Sequence, residues 1–313
     1  MFMKWRAIYS HAADLDGLVA GLHLEFLTGA PLHFLDYGQE DRIAAAPCII
    51  ADLNLANDHP ALADERNLII DHHADRRGPV KAEVIYREGE CAALMVVNAG
   101  GKLGRRDRGA LHPYSARAML AWAKLAQAAD YMLTDAKDYR YARDLTSFMR
   151  IVGVETARTY LQGGSNGLTM WPYNPTLAHV RCAAAIAGAV NARERERGRA
   201  AAQQSLSVYR VGSLGEMGEP DVVVECMMGV LPCGSVSEIA GDLSERLGKP
   251  VALVLLGTAG NEAGTIQVGI RGEGAREIAQ RFGGGGHPTA AGWTVKWRDV
   301  GSAITAAATE REA

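Results

Sequence analysis

Three short apolar runs in this chain end abruptly in carboxylates and imidazoles. Asn67-Leu68-Ile69-Ile70 runs into Asp71-His72-His73, Arg6-Ala7-Ile8-Tyr9-Ser10 into His11-Ala12-Ala13-Asp14-Leu15-Asp16-Gly17, and Cys48-Ile49-Ile50-Ala51 into Asp52. Runs of this length, bounded by polar residues, read as buried strands. Burying so many ionisable groups without partners costs several kcal/mol, so these side chains must face a cleft, with a metal as the expected occupant. In open α/β sheets ligands bind beyond the carboxyl ends of the strands. Three strands ending this way would pool His11, Asp14, Asp16, Asp52, Asp71, His72 and His73 in one crevice.

The remaining pattern suits such a sheet. Leu18, Leu22 and Phe26 recur at helical spacing over Gly17–Leu27, and Gly29-Ala30-Pro31 closes that helix. Leu32–Leu35 reads as a strand and Asn57–Glu65 as a short helix. Strands alternating with helices predict a doubly wound parallel sheet of the α/β class. Further helices are expected over Glu90–Asn98, from a Ser115 cap to Asp130, and over Tyr139–Val152. A basic loop, Lys102–Arg108, lies between the first two of these. Gly163–Gly167 and Trp171–Pro175 punctuate the chain as loops. One long helix is expected from Leu177 to about Leu206. Its Arg193-Glu194-Arg195-Glu196-Arg197 stretch reads as a solvated, charge-paired face, with an RNA-binding arm as the sharper alternative.

A second, smaller α/β domain is expected from Ser207. Strands are expected at Ser207–Val211, Val222–Glu225, Pro250–Leu256, Thr265–Arg271 and Thr289–Val295. Helices are expected at Ser235–Leu247 and Ala275–Phe282, and the last dozen residues read as a helical or disordered tail. The boundaries are 1–175 for the first domain, 176–206 for the connecting helix and 207–313 for the second domain.

At 313 residues the chain suits two domains, and its 48% apolar content is ample for two cores. With 33 basic and 36 acidic residues the net charge is −3. A protein gripping long nucleic acid electrostatically would be basic, so a small or short substrate fits better. The five cysteines form no CxxC pair, which argues for a reducing compartment and buried free thiols, Cys48 and Cys182 among them. The first strand follows the N-terminus with no signal-like segment, and no apolar run approaches the ~20 residues of a membrane helix. A soluble cytoplasmic protein is expected.

These motifs resemble those of the DHH phosphoesterase superfamily, which includes nanoRNases, RecJ-type exonucleases, cyclic-dinucleotide phosphodiesterases and family II pyrophosphatases. His11…Asp14-Leu15-Asp16, Asp52, Asp71-His72-His73 and Asp130 in Ala128-Ala129-Asp130-Tyr131 resemble its first four motifs, in order. Gly283-Gly284-Gly285-Gly286-His287 is similar to the signature of the substrate-binding domain that follows the DHH domain in nucleotide-acting members. The two-residue gap between His11 and Asp14 differs from the single residue usual in RecJ-like members and from the three in pyrophosphatase and many nanoRNase members, so the resemblance does not assign a named subfamily.

The resemblance implies two divalent ions, with manganese preferred and magnesium or another first-row metal as alternatives. It places one ion on His11, Asp14 and Asp52, and the other on Asp16, Asp52, His72 and Asp130, so that Asp52 bridges. Asp71 would orient an imidazole and His73 would meet the phosphate, stabilising its charge or protonating the leaving group. Arg271, Gly284, Gly285, Gly286 and His287 would hold the substrate's phosphate or nucleotide.

Plainer readings stand beside these. Asp14 and Asp16 could cap a helix, Asp52 could be a turn residue, and Asp135 or Asp138 could replace Asp130. Arg271 could be a surface strand-end residue. Trp293 could stack on a base, but a packed core position is the plainer role.

The implied function is hydrolysis of short oligoribonucleotides to 5′-mononucleotides by a nanoRNase-like enzyme. A RecJ-like single-strand exonuclease, a cyclic or linear dinucleotide phosphodiesterase and a 3′-phosphoadenosine 5′-phosphate phosphatase compete within the enzyme class. A long-nucleic-acid enzyme would need a basic groove, to which Arg76, Arg77, Arg105, Arg106 and Arg108 are the candidates. A non-catalytic nucleotide sensor is the alternative of another class, and it would predict missing ligands. The expected partner is a short oligonucleotide or small nucleotide, with no membrane; a homodimer is left open.

Overall fold

The computed structural model describes residues 5–36, 39–43, 46–73, 80–100, 103, 113–131, 133, 135–162, 175, 178–205, 207–209, 223–228, 241, 244, 251–256 and 265–296. The chain divides into two compact units, Met1–Ala189 and Val190–Ala313.

The first unit is built on five parallel strands: β1 (Ala7–His11), β2 (Leu32–Leu35), β3 (Cys48–Ala51), β4 (Leu68–Ile70) and β5 (Glu83–Ile85), in the order β2-β1-β3-β4-β5. The strand order reverses between β1 and β3, which makes their carboxyl ends the crevice of the sheet. Because side chains alternate along a strand, each central strand feeds two cores. Ile8, Ile49, Ala51, Leu68 and Ile70 face one, with Leu18, Leu22, Met95, Met119 and Trp122. Tyr9, Cys48, Ile50 and Ile69 face the other, with Leu53, Leu55 and Leu62. Strands buried on both faces explain why these runs read as continuously apolar.

Helix α1 (Leu15–Thr28) follows β1 and packs on it, on α2 (Ala92–Ala99) and on α3 (Pro113–Asp130). It starts at Asp14, whose carboxylate accepts from Gly17 N–H at 2.8 Å, and stops at Gly29, whose φ of 70° suits a left-handed cap. Its contacts on several sides leave Leu15, Leu18, Val19, Leu22 and Leu24 buried, a wider apolar surface than the expected single stripe. Helices α4 (Tyr139–Val152) and α5 (Val154–Leu161) follow, and α6 (Ala178–Ser205) carries the boundary between the units.

Some expectations are corrected. The helix expected over Asn57–Glu65 shrinks to one 3-10 turn, Pro60–Ala63. The Leu62 carbonyl accepts from Lys81 and Ala82 N–H at 2.8 and 3.1 Å, and is thereby diverted from continuing a helix. Ser115 lies inside the first turn of α3 rather than capping it. Cys182 is exposed on α6, whereas Cys48 and Cys91 are buried.

The second unit contains a six-stranded mixed sheet. Its strands are β6 (Ser207–Tyr209), β7 (Val223–Met228), β8 (Val251–Leu256), β9 (Thr265–Arg271), β10 (Gly285–His287) and β11 (Ala290–Lys296), in the order β10-β11-β9-β8-β7-β6. Only β7 and β8 pair in parallel. Helix α7 (Ala275–Arg281) packs on β11 and β10. The basic loop except Leu103, Arg76 and Arg77, Gly163–Gly167, Trp171–Asn174, the C-terminal tail and all of Ser235–Leu247 except Gly241 and Ser244 lie outside the described residues. Among the described residues, no helix is long and apolar enough to cross a membrane.

Candidate metal centre

The ends of β1, β3 and β4 and the last residue of α3 bring their polar side chains to one place. His11 Nδ1 lies 2.8 Å from Asp14 Oδ2 and 3.7 Å from Asp52 Oδ2. His72 Nε2 lies 3.1 Å from Asp52 Oδ1, 3.6 Å from Asp130 Oδ2 and 3.7 Å from Asp16 Oδ2. Asp52 thus stands between two groups, His11–Asp14–Asp52 and Asp16–His72–Asp130, and the ligand atoms within each are within 4.8 Å of one another. Asp52, His72 and His73 form a third such group. Asp135 and Asp138 are exposed, so Asp130 is the aspartate of this segment that reaches the cluster.

Local backbone geometry sets each position. Gly17 lets α1 begin directly against β1: a Cβ there would collide with the carbonyl oxygen and Cβ of His11. Asp52 has φ 56°, a left-handed conformation that aspartate tolerates better than most residues. Its N–H donates to the Ile70 carbonyl at 3.0 Å, holding the turn beside the end of β4. Backbone strain of this kind concentrates at functional sites. Asp14 is both a helix cap and a member of the cluster, so its two readings are compatible.

Asp16 is held from across the chain. Its Oδ2 accepts from Ala92 N–H at 2.7 Å and its Oδ1 from Ala93 N–H at 2.8 Å, which seats the carboxylate on the positive end of α2. Asp71 Oδ1 accepts from His73 Nδ1–H at 2.7 Å and from His73 N–H at 3.1 Å. The imidazole that Asp71 orients is therefore His73.

The cluster is buried and crowded with negative charge. Burial pushes the Asp16 and Asp52 carboxyls above their usual range, and neighbouring carboxylates push them further. Burial opposes the charged forms of His11 and His72, but the carboxylates outweigh it and raise them to about 11 and about 10. His73 is raised in the same way by Asp71 against its burial. Asp14, despite burial, is lowered by His11 and by the Gly17 N–H. Asp52 Oδ2 is buried and accepts no hydrogen bond among the described residues. A site of four carboxylates and two imidazoles, holding protons it would shed to a stronger Lewis acid, fits hard divalent cations.

In the second unit Arg271 ends β9, and its Nη1 donates to the carbonyls of Ile270 and Ala291 at 2.8 and 3.2 Å. Gly284 precedes β10, and Gly285, Gly286 and His287 form it, so the glycine run is half strand rather than loop. Gly284 and Gly286 permit close approach: a Cβ would strike Gly292 O in one case and Ala290 O in the other. Ala290 pairs with His287 on one side and Arg271 on the other, so the three share one rung of the sheet. The His287 side chain lies outside the described residues. Trp293 is buried and stacks on Phe282 at 4.9 Å and 21°, the packed position rather than an open platform.

Three contributors to the first site were not evident from the sequence: Gln127, Tyr131 and the start of α2. Gln127 Oε1 accepts from Cys91 N–H at 2.6 Å, and Tyr131 Oη lies 3.4 Å from both His72 Nδ1 and the Glu90 carbonyl. Their i, i+4 spacing, flanking Asp130, was the available signal.

Residues 221–311 match the DHHA1 domain family. No curated protein gives a significant sequence match. The fold is shared with the pGpG-specific phosphodiesterase PggH from Vibrio cholerae, at 15% identity and a TM-score of 0.51, over 97% of this chain and 99% of that one. It is also shared with the DHH domain of a protein described as a member of a family of ribosomal proteins, at 14% identity and a TM-score of 0.55, over 97% and 86% of the two chains. Residues 221–311 are thus similar to the DHHA1 domain, and the chain shares its fold with a solved DHH domain and a solved phosphodiesterase.

Proposed function

We propose that this protein is a cytoplasmic metal-dependent phosphodiesterase that hydrolyses short linear oligoribonucleotides, dinucleotides included, to 5′-mononucleotides. The observation that carries the reading is the convergence of His11, Asp14, Asp16, Asp52, His72 and Asp130 around Asp52, with the His73–Asp71 pair alongside. The fold shared with a pGpG-specific phosphodiesterase supports a short linear substrate, as does the net charge of −3. In this reading residues 1–175 carry the chemistry, 176–206 connect, and 207–313 hold the substrate.

His11, Asp14 and Asp52 would hold one cation, and Asp16, Asp52, His72 and Asp130 the other. Bound there, divalent cations, manganese first among them, would neutralise the phosphate and lower the pKa of water for attack. Asp71 fixes His73 through Nδ1 and favours its protonated form, so Nε2 is placed to donate to the phosphate or the leaving oxygen. Burial of Asp16 on the start of α2 keeps that carboxylate oriented when substrate enters. Arg271 and the Gly284–His287 segment would engage the far phosphate or nucleotide through backbone N–H groups and charge.

The test is manganese-dependent hydrolysis of an RNA dimer, an RNA pentamer, a DNA pentamer, an RNA 24-mer, cyclic di-AMP and 3′-phosphoadenosine 5′-phosphate. Fast loss of the short RNAs with slow 24-mer cleavage is expected. His72→Ala should nearly abolish turnover in a protein that still folds. Inactivity of the wild type on every substrate would remove the enzymatic reading in favour of a nucleotide sensor.

A further inference from the structure

The carboxylates meet His72 at Nε2, but its other nitrogen meets a residue from outside that cluster. His72 Nδ1 lies 3.4 Å from Tyr131 Oη, and Tyr131 Oη lies 3.4 Å from the Glu90 carbonyl. The carbonyl can only accept, so the phenol hydrogen goes to Glu90 and the phenol oxygen is left to accept from His72. Imidazole can bind a cation through Nε2 only when that nitrogen is unprotonated, so the ring hydrogen must sit on Nδ1. We propose that Tyr131 is a positioning residue: with Glu90 as its anchor, it holds His72 in the Nδ1–H tautomer and presents Nε2 to a divalent cation.

The surroundings make this a built arrangement. Tyr131 directly follows Asp130, whose Oδ2 is 3.6 Å from His72 Nε2, so one short segment addresses both nitrogens of the same ring. The anchor is itself held: Gln127, one helical turn earlier, accepts from Cys91 N–H and donates to the Gly89 carbonyl at 2.8 Å. Residues 89–91 are thereby clamped between Gln127 and Tyr131. The Tyr131 and His72 rings lie 5.8 Å apart at 41°, close enough for contact without stacking. At 3.4 Å both polar contacts are long for hydrogen bonds.

The inference rests on the reading of His72 as a cation ligand, and two variants separate the two ideas. Manganese binding is measured by the free-ion electron paramagnetic resonance signal in wild type, Tyr131→Phe and His72→Ala. Ring-nitrogen shifts of ¹⁵N-histidine protein loaded with zinc report the His72 tautomer. Tyr131→Phe keeps the aromatic ring, so packing alone predicts no change. The proposal expects manganese affinity at least about 10-fold weaker in Tyr131→Phe, the range seen when groups supporting a metal ligand are removed. It also expects kcat at saturating manganese to change less than the manganese requirement, and an Nδ1–H signature for His72 in wild type. Unchanged affinity in Tyr131→Phe with lost affinity in His72→Ala would overturn the role of Tyr131 alone. Wild-type affinity in His72→Ala would overturn the ligand reading and this proposal with it. An Nε2–H tautomer in zinc-loaded wild type would refute it even if the Phe variant failed to fold.

Discussion

Asp52 combines three features that rarely meet in one residue: a left-handed backbone, burial, and an oxygen with no hydrogen bond among the described residues. Each is unfavourable by itself, and together they mark a position kept for what its carboxylate does. Asp52→Asn should reduce turnover and manganese affinity more than about 100-fold, the upper end for losing a mere support of a ligand. The same change should leave the melting temperature of the metal-free protein no lower, since it removes a charge that burial and the Asp14 carboxylate disfavour more than His11 and His72 favour it. A metal-free variant melting well below wild type would contradict that view of the cluster. The raised imidazoles set a pH dependence. His11 and His72 keep protons in the fold that the unfolded chain releases near 6.5, so their contribution is complete below 6.5 and is lost as pH rises through about 10 and 11. Asp16 and Asp52, raised above 3.8, act in the same direction, whereas Asp14, lowered, contributes above 3.8 and loses its effect in acid. Cations displace those protons, so the manganese-induced rise in melting temperature should be larger at about pH 8.5 than at about pH 6. Equal shifts in parallel thermal melts would contradict this linkage.

At the scale of elements, the strands that bear the site were legible because their sequence does two things at once. Cys48–Ala51 and Leu68–Ile70 are apolar throughout, as sheets covered on both faces require, and they break into Asp and His where the sheet ends. Strand β5 was not legible: Glu83 and Val84 are exposed at the sheet edge, so no apolar run marks them. Strand β10 was hidden because a run of glycines reads as loop until β11 is there to pair with it. Helix α5 begins after Gly153 at φ 81°, a break in what otherwise reads as the end of α4. Of the site, the acids and imidazoles were legible, but the hold of α2 on Asp16 spans 76 residues and leaves no local pattern. Gly17→Ala tests the contact between α1 and β1. The added methyl meets backbone rather than a movable side-chain tip, so a loss of about 1–3 kcal/mol is expected, read by denaturant unfolding. Weaker manganese binding should accompany it, because His11 is the residue displaced. Ile50→Ala, in the core on the sheet's other face, should cost about 2–5 kcal/mol while manganese affinity in the folded fraction stays near wild type.

For the whole molecule, all six candidate metal ligands belong to the first unit, and the glycine-rich strand belongs to the second. Ligands that bind one folded unit stabilise that unit. Scanning calorimetry should therefore show manganese raising the transition of the first unit and leaving the second nearly unmoved; equal shifts of both would mean that the units melt as one. His287→Ala should raise KM several-fold with unchanged manganese affinity, measured by titration of the dimer substrate and of the metal separately. The order β2-β1-β3-β4-β5 has one more consequence. Of the five strands β1 is the first to be made, yet it sits inside the sheet, and Asp130 joins Asp16 and His72 only at the end of α3. Chains emerge from the ribosome N-terminus first. A nascent chain ending before residue 130 would expose an incomplete set of acids and imidazoles, open to whichever ion is most abundant or most tightly held by loose ligands. A site that needs the whole set can therefore select among ions only after the first unit closes.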